Sequence, residues 1–283
     1  MAINKPLQQA IGVAAGSIAT IRIPPEALTL VGAKLVLGGT TFDKTKIDKI
    51  RVKVGARVIW DITGAQINAI NNYKGGADVA RTLLLDFTER TQAIFPVKEV
   101  GGLDLMTLAA VGEIFLEITI NAAAVAPTIQ AFGYFEQQQG NPMVLKLVPF
   151  TWTTNAAGRF TLPLNLRGAL VKRLWVFYSG TGWTAATNGN CSRMEVKKNG
   201  VVMYDQYDLD ARFDQVQYKK TPQAGLYVVD FIVDDNHDAT VTTIRDQNGV
   251  QVYDTFEFNA YITDAGGAQV TAVAEVIDTP TNL

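Results

Sequence analysis

Apolar and polar residues alternate with period two along much of the chain. Ile21 and Ile23 flank Arg22, and Phe256 and Phe258 flank Glu257. Ile50, Val52 and Val54 alternate with Arg51 and Lys53, and Ile114, Leu116, Ile118 and Ile120 alternate with Phe115, Glu117 and Thr119. Successive side chains of a strand point to opposite faces, so these runs predict half-buried strands. The run from Val228 to Val233 is apolar in both registers except at Asp230, as in a strand apolar on nearly both faces. Turn residues separate the runs: Gly38-Gly39, Gly75-Gly76, Gly101-Gly102, Asn199-Gly200, Asn248-Gly249 and Gly266-Gly267. Asn-Gly between apolar runs signals a hairpin, because both central residues of a type I′ turn need positive φ. Many short strands at this spacing imply an antiparallel sandwich.

Helical period is confined to two stretches. Ala65 to Tyr73 places Gln66, Ile70 and Tyr73 on one face and ends at Gly75-Gly76. Leu209, Phe213 and Val216 recur at i, i+4 and i+7, a clearer amphipathic stripe. Asp208 and Asp210 stand near its start, where carboxylates favour the helix dipole.

The pattern occurs twice. Val13-Ala14-Ala15-Gly16 is echoed by Asn155-Ala156-Ala157-Gly158, each followed by a strand ending at a proline, Pro24 and Pro163. The strand pair around Ile50 and Trp60 is echoed around Met194 and Tyr204, and each pair is followed by a candidate helix. Asp61 to Asp205 and Asp86 to Asp230 are each 144 positions apart, and Gly16 to Gly158 is 142. Order, spacing and the intervening helix all agree, so the chain divides into two copies of one β-domain. The expected organisation is an N-terminal arm over residues 1–9, which orders upon assembly, and a first domain over 10–138. A polar Gly/Pro linker over 139–143 and a second domain over 144–283 with a short C-terminal tail complete it. Each copy has about eight strand candidates, and eight strands in two packed sheets make a jelly roll. The expected fold is therefore all-β: two tandem eight-stranded jelly rolls, each with a short helix inserted. Tandem immunoglobulin-like domains fit less well, since each copy exceeds about 100 residues and carries a helix.

Composition narrows the function. With 48% hydrophobic and 18% charged residues the chain can bury enough surface to fold, so disorder is excluded. Its 25 basic and 27 acidic residues leave a formal charge of -2, too weak a field for direct nucleic-acid binding. The start carries Lys5 and no apolar run, so no signal peptide is expected, and no stretch approaches the ~20 apolar residues of a spanning helix. The one cysteine, Cys191, excludes an intrachain disulfide and a Cys-rich zinc site, and fits a reducing compartment of synthesis. The one histidine, His237, sits in Asp234-Asp235-Asn236-His237-Asp238, which reads as a solvated turn, so Ser-His-Asp and Cys-His catalysis have no natural seat.

The remaining candidates each have a plain and a sharp reading. Asp205, Asp208, Asp210 and Asp214 could hold calcium, but they lack the Gly and closing Glu of an EF-hand and read as solvated carboxylates at a helix start. Asp234, Asp235 and Asp238 stand the same way, the sharp version being a calcium site between subunits. Trp183, in the polar loop from Ser179 to Asn190, reads as part of an exposed loop or as a contact for a partner or sugar; Gly180-Thr181-Gly182 is no phosphate loop. Asn190-Cys191-Ser192 fits a glycosylation sequon. Trp60, Trp152 and Trp175 read as core. Lys172-Arg173, Lys197-Lys198 and Lys219-Lys220 are too sparse for a nucleic-acid patch, though one or two could face lipid headgroups.

Against this background Val13-Ala14-Ala15-Gly16, the strand to Pro24, and the charged hairpin from Lys46 to Val58 carry a resemblance. The chain resembles the double jelly-roll major capsid proteins of tailless, membrane-containing icosahedral viruses, in particular the corticovirus-type coat proteins of bacteriophages. The detailed likeness covers roughly the first 60 residues; the rest matches in architecture. The resemblance implies a homotrimer whose six jelly rolls give a pseudo-hexagonal outline, tiling a shell over an internal membrane. It implies as partners the chain itself, neighbouring capsomers, penton and minor membrane-associated virion proteins, and peripheral contact with lipid. It implies residence in the virion capsid after synthesis and assembly in host cytoplasm. The pattern carries no catalytic, cofactor or metal residues, so no enzyme activity and no cofactor are expected. Coat proteins of this kind can bind calcium, but no residue here matches such a site. The competing readings are a tandem β-sandwich lectin or receptor-binding spike, favoured by exposed loop aromatics, and a glycosidase with two carboxylates about 5–10 Å apart in a cleft.

Overall fold

The computed structural model describes residues 3–90, 100–162, 164, 166, 168–236, 240–247, 250–263 and 268–282. It divides into two compact units. The first holds residues up to Asn71, then Gly76–Leu147 and Ile277–Asn282; the second holds Asn72–Gly75 and Val148–Val276.

The first unit carries β1 (Ile3–Pro6), β2 (Ile18–Ile23), β3 (Leu28–Gly38), β4 (Ile47–Val54) and β5 (Arg57–Ile62), then helix α1 (Gly64–Tyr73). β6 (Thr82–Asp86), β7 (Leu103–Asp104), the short helix α2 (Leu105–Ala109), β8 (Ile114–Ile120) and β9 (Thr128–Gln137) follow. One sheet runs β1-β9-β3-β6, with β7 also on β3; the other runs β5-β4-β8-β2. Alternation sets the faces. On β8 the residues Ile114, Leu116, Ile118 and Ile120 are buried while Phe115, Glu117 and Thr119 are half-exposed. On the outer face cross-strand charges pair, Lys53 Nζ with Glu117 at 2.8 Å and Lys49 Nζ with Asp61 at 3.0 Å.

The second unit is built from β10 (Val144–Thr154), whose start belongs to the first unit, β11 (Gly158–Leu162), β12 (Leu170–Tyr178), β13 (Cys191–Lys198) and β14 (Val201–Tyr207). Helix α3 (Asp208–Gln217), β15 (Leu226–Asp230), β16 (Val241–Thr242), the hairpin β17 (Ile244–Gln247) and β18 (Val250–Tyr253), β19 (Phe256–Ile262) and β20 (Ala268–Asp278) complete it. Its sheets run β10-β20-β12-β15 and β14-β13-β19-β11. Strand for strand this is the order of the first unit, down to β16 on β12 where the first unit has β7 on β3. The two copies legible in the sequence are thus two eight-stranded jelly rolls of one topology, each with a helix after its fifth strand. The β13–β14 turn is the Asn199-Gly200 hairpin, with φ of 50° and 79°, as a type I′ turn demands. The Asn248-Gly249 and Gly266-Gly267 turns lie outside the described residues.

Two details depart from the sequence reading. Ile3–Pro6, expected within a free arm, pairs along β9 from Ile3↔Phe135 to Pro6↔Phe132 and so supplies the first strand of the first roll. The strand expected to reach Val233 stops at Asp230, because the Asp230 carboxylate turns back to accept the Ile232 N–H at 3.0 Å. Residues 138–143 form no strand; there the Asp104 carboxylate accepts the Gln139 and Gly140 N–H groups and caps α2 at Thr107 N, 2.9 Å.

Candidate functional site

The helix α3 carries the most unusual surface of the molecule. Its apolar stripe faces outward: Leu209, Phe213 and Val216 are 64%, 67% and 62% exposed, while Ala211, Arg212 and Gln215 are buried. An amphipathic helix of a self-contained domain does the reverse. The cause is Arg212. Its guanidinium donates to the carbonyls of Ala185 and Thr187 at 3.2 Å, Gln223 at 3.2 Å and Leu226 at 3.3 Å, and to Asn188 Oδ1. With the Thr184 carbonyl at 3.5 Å, six acceptors on the inner side fix the rotation of the helix and lock the stripe outward. Burial lowers the Arg212 pKa, although the group stays charged among those carbonyls.

The surface extends beyond the helix. Tyr207, before α3, and Tyr218, after it, are exposed, and so are Val201, Val202 and Met203 on β14. β14 lies at a sheet edge and, among the described residues, pairs only with β13. At roughly 100 Å² each, these eight apolar residues together expose on the order of 800 Å². The sequence revealed the stripe by its period but not the side on which it lies.

The other candidates have partners within the protein. Asp205 forms a forked pair with Arg193 across the β13–β14 ladder, and that hydrogen-bonded guanidinium holds its carboxyl below the usual range. Asp214 accepts from Gln206, and Asp208 accepts the Leu209 N–H at 2.9 Å. Asp234 accepts the Asn236 N–H at 3.1 Å and Asp235 pairs with Lys220, while His237 and Asp238 lie outside the described residues. Among the described residues no three His, Cys, Asp or Glu side chains are grouped to hold a metal ion. Trp183 is half-buried against the core of the second roll, its ring centroid 5.6 Å from that of Tyr178, so it is not displayed for a sugar. Asn190 of the sequon is buried, and burial pushes the neighbouring Cys191 thiol up to about 12. Trp60 and Trp175 are core residues as expected, and Trp152 packs against the core.

Most of the basic pairs are engaged within the protein. Lys172 and Arg173, considered for lipid headgroups, are buried around Glu275, at 3.5 Å and 3.0 Å from its Oε1. Lys74 reaches the same oxygen at 3.1 Å and Trp175 Nε1 donates to Oε2 at 2.9 Å. Arg173 Nε also lies 3.0 Å from Asp230, which accepts the Tyr73 hydroxyl at 3.0 Å. Burial, then the Asp230 charge, pushes the Tyr73 hydroxyl well above its ordinary pKa. Lys197 pairs with Glu195 and Lys198 with Asp254, each at about 3 Å. These buried and paired charges help hold the second unit together.

Comparisons agree with this picture of two like rolls. A family model described as the viral coat protein P2 N-terminal domain matches residues 4–138, and one described as the viral coat protein P2 C-terminal domain matches residues 144–280. Among curated proteins no sequence matches. Of solved structures, the major capsid protein P2 from bacteriophage PM2 superposes with a TM-score of 0.78 at 16% identity, covering 99% of this chain and 98% of that one. A chain of Sulfolobus Turreted Icosahedral Virus gives 0.66 at 13% identity over 99% and 91%. A capsid chain of the PBCV-1 virus gives 0.55 at 14% over 98% and 93%. At such identities the likeness is one of fold.

Proposed function

The chain belongs to the viral coat protein P2 family, and from that premise we propose that it is the major capsid protein of its virus, acting as a homotrimeric capsomer in an icosahedral shell over an internal membrane. The observation that carries this reading is the strand-for-strand identity of the two sheet orders. Three copies of a chain with two like rolls supply six like units, so a threefold object fills a sixfold position. An outward apolar stripe on a rigidly held helix supports self-association, since water is a poor partner for such a surface. The near-neutral charge of -2 supports dense tiling, because identical copies repel weakly. In this reading the function is structural and no side chain performs catalysis. Its partners are further copies, penton proteins and minor membrane-associated virion proteins, with synthesis and assembly in host cytoplasm.

Light scattering behind a sizing column tests the reading. The expected native mass is three times 30.7 kDa and holds on dilution. A monomer at high concentration would remove the preformed capsomer.

A further inference from the structure

The two rolls share a topology but differ in how complete they are. In the first unit the edge strand β5 is covered: Leu147 pairs with Trp60 in parallel register, and Trp60 Nε1 donates to the Leu145 carbonyl at 2.8 Å. In the second roll the equivalent edge strand is β14, and among the described residues nothing pairs with its outer side. The helices differ in the same sense. Ile67, Ile70 and Tyr73 of α1 are buried, whereas Leu209, Phe213 and Val216 of α3 are exposed.

The repeat itself identifies what is missing. With the 142-residue offset of Gly16 and Gly158, the counterpart of Leu145–Leu147 is Ile3–Lys5. That segment lies in β1, which is mostly exposed and forms the end of its own sheet, paired among the described residues on one side only, with β9. Among the described residues, then, β14 and β1 each have an unpaired edge, and they are the counterparts of β5 and β10, which pair with each other. Unpaired edges attract further strands unless something covers them. The exposed apolar area beside β14, on the order of 800 Å² by the estimate above, matches the ~800 Å² that each partner contributes to a standard interface.

We propose that the outer edge of β14 and the apolar face of α3 receive a second copy of this chain, whose Ile3–Lys5 lies along β14 as Leu145–Leu147 lies along β5. The contact is heterologous, joining two different patches, so it propagates from copy to copy and closes a ring when the rotation fits. It deepens the capsomer reading and rests on it: the strand of the first roll completes the second roll of the neighbour. It also gives the N-terminal segment a purpose beyond its own sheet.

Two variants test the contact in the full chain. F213E with V216E places charge on side chains that are solvent-exposed in the single chain, so the fold, read by circular dichroism, is unchanged. The expected native mass falls from three chains to one. In the second, I3C with M203C places thiols on the two edges, and a short bismaleimide should yield a covalent species of three chain masses on a denaturing gel. Each single-cysteine variant should stay uncrosslinked, Cys191 being buried. Should the wild type be a trimer while the first variant stays trimeric and the second gives no crosslink, this contact is wrong and the capsomer stands. A monomeric wild type would overturn the capsomer reading itself, and this contact with it. Should the Glu pair unfold the chain, the crosslink alone decides.

Discussion

Glu275→Gln is the sharpest probe of the second unit. The side chain is fully buried, and one of its oxygens serves Lys74, Arg173 and Lys172 at 3.1, 3.0 and 3.5 Å. Glutamine keeps the volume and an acceptor for Trp175 Nε1, so the change removes charge and little else. Three cations then share the buried site without its charge, with the Asp230 carboxylate 3.0 Å from Arg173 Nε. Breaking a buried ion pair by removing one partner costs about 3–5 kcal/mol, because the other charge is left uncompensated. For a chain of this size 1 kcal/mol shifts Tm by about 2–4 °C, so a fall of roughly 10 °C is expected. The control is Glu117→Gln, whose pair with Lys53 at 2.8 Å is part-exposed and worth about 0–1 kcal/mol. Urea unfolding at one fixed protein concentration, with m unchanged, gives both values, the fixed concentration holding any contribution from assembly constant. If Glu275→Gln costs no more than the control, the account of Glu275 as the counter-charge of a buried cationic cluster is refuted.

Two further outcomes follow from local geometry. Asp104 is buried, which raises its pKa, but N–H donors from Thr107, Gly140 and Gln139 outweigh this and hold it below the usual carboxylate range. A depressed carboxylate stabilises fully above its unfolded pKa of about 3.9, and that stabilisation is lost as pH falls through the lower folded value. Asp104→Asn keeps an acceptor for the Thr107 N–H but loses the charge and the second oxygen that serves Gln139 and Gly140, so it should destabilise by about 1–3 kcal/mol at neutral pH, with the gap to wild type closing below about pH 4. A gap that is constant with pH would contradict the assignment. Arg212→Ala strips the donors from the Ala185, Thr187, Gln223 and Leu226 carbonyls, at about 1–3 kcal/mol for each buried acceptor left unsatisfied. Hydrogen exchange should accelerate over α3 and residues 184–188, and Arg212→Lys should rescue only part, since an ammonium cannot fork to so many acceptors.

Much of this molecule is written in local rules. Period-two runs such as Ile114–Ile120 fix strand and face together, because burying one face is the only favourable use of that alternation. Asn199-Gly200 fixes a hairpin through the positive φ it tolerates. The constant offset from Asp61 to Asp205 exposes the duplication, since two copies that fold alike must place their turns alike. The roles of Lys172, Arg173 and Trp183 were not legible. Lys172 and Arg173 look like surface charge until Glu275, about a hundred positions away, is brought beside them, and Trp183 looks displayed until Tyr178 is placed against it. Helix α3 shows the division most clearly. The sequence determined that Leu209, Phe213 and Val216 share one face, because that follows from 3.6 residues per turn. Which way the face points depended on Arg212 meeting carbonyls from residues 185, 187, 223 and 226, a set assembled only when the loops on either side of α3 close around it. Period is a property of neighbours along the chain; inside and outside are decided by contacts far apart in it.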